Sequence, residues 1–397
     1  MYTQAKYSKN SVGVIQLLYF LLYAAIASWS SYFYVFLENE RGMTGMQIGI
    51  LAAVQQTNNL IFLPLWGMIS DRFGKRKVFL LLLGISVFLL YGFLVHGGFV
   101  YYLLFIILFS ALHNPIGALI DSLAIHKAKE PIVDTSYGKM RLWASIGWAV
   151  ASVTTGFVIK YTSIHIIFPI ASTILAITWV ISFIGLNKKR DPKNDVKPSF
   201  VTLKTFLFEN KKLLFFFIFI MLYYIFNSPT LTFINLYYNE IGASNLQIGI
   251  AFAVQSVCEL PFMFFGLAII KRFGIHKVIL FTMFVAAIRM VLYGFTSDPW
   301  VAILIGCTHG ITLGLFLVTA IEFTHRIVPA SHNSTGQTLL YTFLGLGTSI
   351  GNLMSGYMKD HLSLQHAMKY NAIMVFVLIG LSYLFMGKLF ANTKAPN

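Results

Sequence analysis

A chain of 397 residues with 57% hydrophobic side chains, 11% charged ones and a mean hydropathy of +0.74 lies far outside the soluble range, where about a quarter of residues carry charge. Lipid is its solvent, so its length counts membrane spans rather than domains. The net charge of +15 sits almost wholly in loops on one side, which reads as topology and excludes a nucleic-acid footprint.

Apolar stretches long enough to cross a bilayer run at about 11–37, 46–69, 78–96, 99–126, 139–159, 164–186, 212–238, 246–270, 277–296, 299–324, 334–358 and 366–391. The run after the polar Met1–Asn10 is too long for a signal-peptide core, so the first span is expected to stay attached. Twelve spans put both termini on one side, and the cations choose it. One set of loops carries Lys6, Lys9, Arg72 to Lys77, Lys127, Lys129, Lys188 to Lys212, Lys271 to Lys277, Arg326, Lys388 and Lys394. The other has only Arg41, Lys160, Lys359 and Lys369, so both ends are expected in the cytoplasm, with the chain in the cell (inner) membrane. Cys258 and Cys307 fall in apolar runs and indicate neither a disulfide framework nor a metal site.

The stretch from Met46 to Val78 returns two hundred positions later as Leu246 to Val278. The copies share Gln47/Gln247, Gly49/Gly249, Gln55/Gln255, Arg72/Arg272, Phe73/Phe273, Gly74/Gly274 and Lys77/Lys277, and the match runs back through Tyr23/Tyr223 and Ser28/Ser228. A tandem repeat of this length in an apolar chain belongs to transporters built from two related halves. The expected organisation is an N-terminal six-helix bundle over 1–186, a cytoplasmic linker over 187–211 and a C-terminal six-helix bundle over 212–397. Within the linker, Phe200, Leu203 and Leu207 share one side of a possible surface helix.

Between the second and third spans lies the turn Gly67-x-x-x-Asp71-Arg72-Phe73-Gly74-Lys75-Arg76-Lys77, with a degenerate echo at Lys271-Arg272-Phe273-Gly274. Gly74 permits the reversal and the cations hold the membrane interface. Asp71 needs a cationic or helix-N-terminal partner, and such a partner can be engaged in one conformation and lost in another. This turn resembles the signature loop of the major facilitator superfamily. The resemblance implies an all-α fold of two homologous six-helix bundles rocking about a central cavity, with Gly67, Asp71, Arg72, Gly74, Lys75 and Arg76 as a cytoplasmic gate.

Inside the spans stand Asp121, Arg141, Glu259, Arg289 and His309, with His113 as a weaker sixth; an ionisable side chain at that depth is a functional candidate by default. The segment Tyr137-Gly-Lys-Met-Arg141-Leu-Trp-Ala-Ser-Ile-Gly-Trp148 is similar to helix five of the group comprising the lactose permease, nucleoside:proton symporters and phenylpropionate permeases. That likeness implies that Arg141 and Trp148 hold the solute with Asp121 nearby, and that Glu259, Arg289 and His309 match the helix-eight Glu, helix-nine Arg and helix-ten His. Where the lactose permease has its proton-carrying Glu, this chain has Thr312. Glu259, Arg289 and His309 are read as a proton-coupling network, since a guanidinium opposes protonation of a carboxylate and imidazole titrates near neutrality, with a fixed Glu259–Arg289 salt bridge locking helices eight and nine as the alternative.

The amides and phenols Tyr23, Gln55, Asn114, Asn227 and Gln255 fall mid-span and, taken together, favour a polar chamber over simple helix bridging. Helix eleven, with Gly345, Gly347, Gly351 and Gly356, is suited to close packing. The expectation is therefore proton-coupled uptake of a small polar solute, a sugar or nucleoside, by a monomer that needs no cofactor or metal and uses the proton gradient. Export of drugs or metabolites and carriage of an aromatic acid are the alternatives. An enzyme would need a nucleophile–base arrangement, and the sequence offers none; ATP drive would need a phosphate-binding loop, which is absent.

Overall fold

The computed structural model describes residues 2–128, 135–186, 211–328 and 333–390. The linker over 187–210, including the Ser199–Leu207 segment, lies outside the described residues. The first repeat holds α1 (Tyr2–Ser30), α2 (Phe33–Arg41), α3 (Gly45–Phe73), α4 (Lys75–Gly92), α5 (Phe99–His113), α6 (Pro115–Ala128), α7 (Tyr137–Tyr161) and α8 (Ile167–Gly185). The second holds α9 (Lys211–Leu231), α10 (Ile234–Glu240), α11 (Asn245–Phe273), α12 (Ile275–Phe295), α13 (Pro299–Gly306), α14 (Phe316–Ile327), α15 (Asn333–Leu362) and α16 (Leu364–Phe390). Among the described residues, ten helical stretches are long and apolar enough to cross a membrane. Helices also fill the two other expected spans, but α4 starts on three cations and α15 is diluted by Gly, Ser, Thr and Asn.

Four spans that read as continuous in the sequence are interrupted. The first turns at Ser31–Tyr32 and the seventh at Thr232–Phe233, almost one repeat apart. The fourth breaks at Asn114, ahead of Pro115, which has no N–H to continue the ladder. In the tenth, the backbone first tightens, with Cys307 N donating to Leu304 O at 3.0 Å and Thr308 N to Ile305 O at 3.1 Å. It then widens into a π turn over Gly310–Leu315. Such turns recur at functional sites because they re-aim side chains without ending the helix.

Polar and apolar residues are sorted as a bilayer demands. Small polar groups are fully buried, among them Ser28, Ser86, Thr282, Thr319 and Asn352, and Ser28 and Thr319 return their hydroxyls to Ala24 O and Leu315 O. Large apolar groups point outward instead: Phe88, Ile184 and Phe264 are 77%, 78% and 79% exposed. Against lipid, helices adhere through small residues and hydroxyls, since apolar burial gives them no advantage.

The chain groups into two compact units, one of Met1–Met43, Thr57–Asp195 and Ala243–Val257, the other of Thr44–Gln56, Val196–Gly242 and Cys258–Asn397. In the first, α1 packs on α7 and α8, and α4 on α8. In the second, the repeat-equivalent set is α9 on α15 and α16, with α12 on α16. Each unit also includes the opening half of one long helix from the other repeat. In the first unit the start of α11 lies on α7, where a Cβ at Gly249 would strike Ser152 O and the Tyr32 hydroxyl. In the second the start of α3 lies on α15, where a Cβ at Gly49 would stand 2.6 Å from Asn352 O. Gly347 and Gly351 of α15 meet Met221 O and Ile225 O of α9 in the same manner, as the glycine spacing of that span leads one to expect. Gly249→Val is expected to cost about 1–3 kcal/mol through overpacking, read as a lower thermal midpoint of the purified protein. Gly67→Ala, which meets nothing within 4 Å, should leave the midpoint unchanged or raise it.

Candidate functional site: two charged clusters and a basic turn

In the first unit, α1, α6 and α7 bring one acid and one guanidinium close without closing them. Tyr19, itself fully buried, donates its hydroxyl to Asp121 Oδ1 at 2.7 Å. Arg141 Nε donates to the Tyr137 hydroxyl at 3.0 Å, one helical turn away, and stands 3.8 Å from Asp121 Oδ1. The guanidinium carbon lies 5.8 Å from the centre of the Tyr23 ring, within cation–π range. The side chains of Arg141 and Asp121 keep 40% and 27% of their surface exposed, so the cluster is open on one side. Asp121, Arg141 and Tyr23 were legible in the sequence; Tyr19 and Tyr137 were not, because a phenol one turn from a charge looks like any other aromatic residue of an apolar span.

Trp148 is partly buried against Ala24, Ala27 and Ala151, with Ile174 beside it. Three alanines leave room for an indole face that larger residues would cover. Asn114, at the break of the fourth span, donates to Asn59 Oδ1 at 2.7 Å. Gln255 is 4% exposed and its Nε2 has no hydrogen-bond partner, whereas its repeat twin Gln55 is half-buried.

In the second unit the charges form a relay. His309 Nε2 stands 3.0 Å from Glu259 Oε1, and His309 Nδ1 stands 2.8 Å from Arg289 Nη1. Arginine only donates, so Nδ1 accepts, and the proton of the neutral imidazole sits on Nε2, where it is given to Glu259. Arg289 is 1% exposed. It also donates to Thr312 Oγ1 at 3.1 Å and to the Tyr293 hydroxyl at 3.4 Å, and its Nε has no partner. The three residues read as a network do meet, but the alternative of a fixed Glu259–Arg289 salt bridge is corrected: the imidazole stands between them, and among the described residues no carboxylate lies within ion-pair distance of Arg289. Thr312, the position of departure from the resembled group, is occupied as an acceptor for that guanidinium.

The π turn sets this geometry. A Cβ at Gly310 would run into the Cys258 carbonyl, so glycine lets the tenth span press against α11 just where His309 must reach Glu259. Asn227 is 2% exposed and engaged at both ends, donating to the Tyr223 hydroxyl at 3.3 Å and accepting from Thr230 Oγ1 at 2.6 Å. His113, by contrast, has no hydrogen-bond partner on either nitrogen and stacks on Phe109 with ring centres 4.7 Å apart.

In the basic turn, Gly74 has φ +98° and its repeat partner Gly274 has φ +85°, a region that favours glycine; the shared glycines are therefore turn requirements. Arg76 caps the end of α8, donating to Phe183 O at 2.7 Å and Leu186 O at 2.9 Å, where the helix dipole welcomes a cation. Asp71 and Arg72 are exposed, with Arg72 over the Phe73 ring at 5.5 Å and Gly67 meeting nothing within 4 Å. Lys75 is half-buried.

A repeated, all-helical, multi-pass membrane fold with ionisable clusters inside its spans defines the class as a carrier of the major facilitator type. The profile of the MFS_1 like family matches residues 14–370, and the chain belongs to that family. It is similar to the uncharacterized transporter YwbF of Bacillus subtilis (strain 168), 26% identical over 336 residues, covering 83% of this chain and 82% of that one. It is also similar to the maltose permease of Geobacillus stearothermophilus, 26% identical over 356 residues and 87% of each. Its fold matches the crystal structure of the nucleoside transporter NupG with a TM-score of 0.83 at 20% identity, over 96% of this chain and 99% of that one. The protein is thus a membrane transport protein for a small molecule and not an enzyme.

His309→Phe should destabilise the fold by about 1.5–3 kcal/mol, since it removes one of three acceptors from a buried guanidinium, while His113→Phe should be neutral or stabilising because no bond is lost. Thermal unfolding of the two purified variants makes the comparison.

Proposed function

We propose that the protein is a proton-coupled symporter that takes up a sugar or nucleoside across the cell (inner) membrane by alternating access. The relatives' printed names, a maltose permease and a nucleoside transporter, support the solute class. In this reading Asp121, Arg141, Tyr23, Trp148, Asn114, Gln55, Asn227 and Gln255 serve the solute, Glu259, His309 and Arg289 serve the proton, and Gly67, Asp71, Arg72, Gly74, Lys75 and Arg76 serve the gate. The chain acts as a monomer with both termini in the cytoplasm, and its energy comes from the proton gradient without a cofactor.

The observation that carries the proposal is the orientation of the relay. Because Arg289 holds Nδ1 of His309 as an acceptor, a second proton on the imidazole would face donor against donor, so the proton is carried on Glu259. Protonation turns the charge-assisted bond from His309 Nε2 into a neutral one, roughly half as strong. The loaded carboxyl is then freer to leave the imidazole, and the empty one returns to it. That difference between loaded and empty forms is what coupling requires. Trp148 offers an aromatic plane to the CH face of a ring while the neighbouring polar groups take its hydroxyls or base edges.

Glu259→Gln should abolish gradient-driven accumulation in proteoliposomes yet leave solute exchange measurable; unimpaired uphill uptake would remove Glu259 as the carrier. Trp148→Ala should weaken solute binding about tenfold more than Trp148→Phe, given the 0.5–1.5 kcal/mol scale of ring stacking added to lost contact area, and equal affinities would remove the stacking role.

A further inference from the structure

We propose that Cys258 and Cys307 form a reversible oxidation site, where a peroxide joins them into a disulfide that pins α11 to the tenth span beside the relay. The bond stands apart from the transport reading above; its effect on uptake rests on that reading.

The chain has two cysteines, and the fold sets them opposite each other. α11 and the tenth span touch backbone to backbone where a Cβ at Gly310 would run into the Cys258 carbonyl, and Cys307 lies one turn before that glycine. The two side chains meet within hydrogen-bonding reach, and both stand as thiols. The first unit repeats this contact two hundred positions earlier, where Asn58 of α3 donates to Ile107 O at 3.1 Å and to Ser110 Oγ at 2.8 Å. Asn58, Ile107 and Ser110 occupy the places of Cys258, Cys307 and Gly310, so the approach belongs to the fold, and in the second unit thiols fill it. A disulfide needs Cα atoms about 4.4–6.8 Å apart, which two helices reach only where no large side chain separates their backbones. The backbone can also yield there. Cys307 sits in the tightened turn and the π turn follows from Gly310, and such departures from the regular ladder mark places where a helix hinges.

The thiols differ in access. Cys307 is exposed, on the outer side of the span with Trp300 and Leu304, which are 56% and 69% exposed, whereas Cys258 is half-buried. Cys307 is therefore the sulfur that meets the oxidant. Its sulfur attacks one oxygen of hydrogen peroxide, the O–O bond breaks, and the thiol proton leaves with the displaced oxygen as water, which makes Cys307 a sulfenic acid. The Cys258 sulfur then attacks the sulfenic sulfur, the S–O bond breaks, and a second water departs with the Cys258 proton. Two thiols have lost two electrons and one peroxide has become two waters. Exchange with an added dithiol reverses the bond.

Glu259 follows Cys258 directly and His309 stands two residues after Cys307. The thiols and the 3.0 Å approach of His309 Nε2 to Glu259 Oε1 thus belong to one helix crossing. A covalent bond across it fixes the spacing that the loaded carboxyl has to change.

The purified full-length protein in proteoliposomes is treated with hydrogen peroxide, capped with N-ethylmaleimide and read by peptide mass spectrometry. A linked Cys258–Cys307 peptide is expected, and dithiothreitol should remove it. Cys258→Ser should stop at a sulfenic acid on Cys307, captured by dimedone, and Cys307→Ser should give neither product. Two capped, unlinked thiols after peroxide, or a Cys307–Cys307 bond between chains, would overturn the site; dimedone on Cys258 in Cys307→Ser would overturn the order of attack. Gradient-driven uptake of maltose and of uridine forms the second arm. Peroxide should lower it several-fold in wild type, dithiothreitol should restore it, and Cys307→Ser should keep its uptake throughout. A linked protein that transports at the reduced protein's rate would overturn the brake. Linkage in a wild type that, fully reduced, takes up neither solute would sustain the oxidation site and discard the transport reading for those solutes.

Discussion

A guanidinium buried to 1% exposure inside a bundle of membrane helices has no water to answer it, and the way Arg289 is answered shapes the second unit. A direct carboxylate would neutralise it at once and give a fixed brace. Placing an imidazole between them keeps the cation and the anion in the same network while leaving their separation adjustable, and it dictates which imidazole nitrogen bears hydrogen. The surrounding chain is arranged to hold this: Thr312 and Tyr293 supply further acceptors, and the close approach at Gly310 brings Glu259 within reach. In the first unit two phenols answer the charges, Tyr19 bonding to Asp121 and Tyr137 to Arg141.

Much of the fold was legible because it follows from the solvent. Lipid forbids unpaired backbone, so long apolar runs must be helices. The turns at Gly74 and Gly274 were readable for the same reason, since only glycine enters that region cheaply. The interruptions at residues 31–32, 114, 232–233 and 307–315 were not readable, because hydropathy measures the company a residue keeps and not the path of its backbone. Of these, the break at Asn114 and the turn at Thr232–Phe233 left marks in the sequence, in Pro115 and Pro229.

The clusters were half legible. A charge inside an apolar run announces itself, so Asp121, Arg141, Glu259, Arg289 and His309 were found by composition alone. Who touches whom was only partly available: the sequence grouped Glu259, Arg289 and His309, and the structure adds the order, with His309 between the other two. Tyr19 and Tyr137 carry no charge and repeat in no pattern, and they became visible only through distance. The basic turn was read as a unit of interfacial cations, but Arg76 is separated from its neighbours by the two carbonyls of α8 that it caps.

The π turn over Gly310–Leu315 also upsets the arithmetic by which helices are read. One surplus residue in a turn advances every later side chain by roughly a hundred degrees around the axis relative to an ideal helix. The tightening at Cys307 and Thr308 offsets that drift, and Ala302 and Ala320, eighteen residues apart on the two flanks, are both fully buried. The span thus keeps one enclosed side across the interruption, and only the stretch between Cys307 and Leu315 departs from the ideal register.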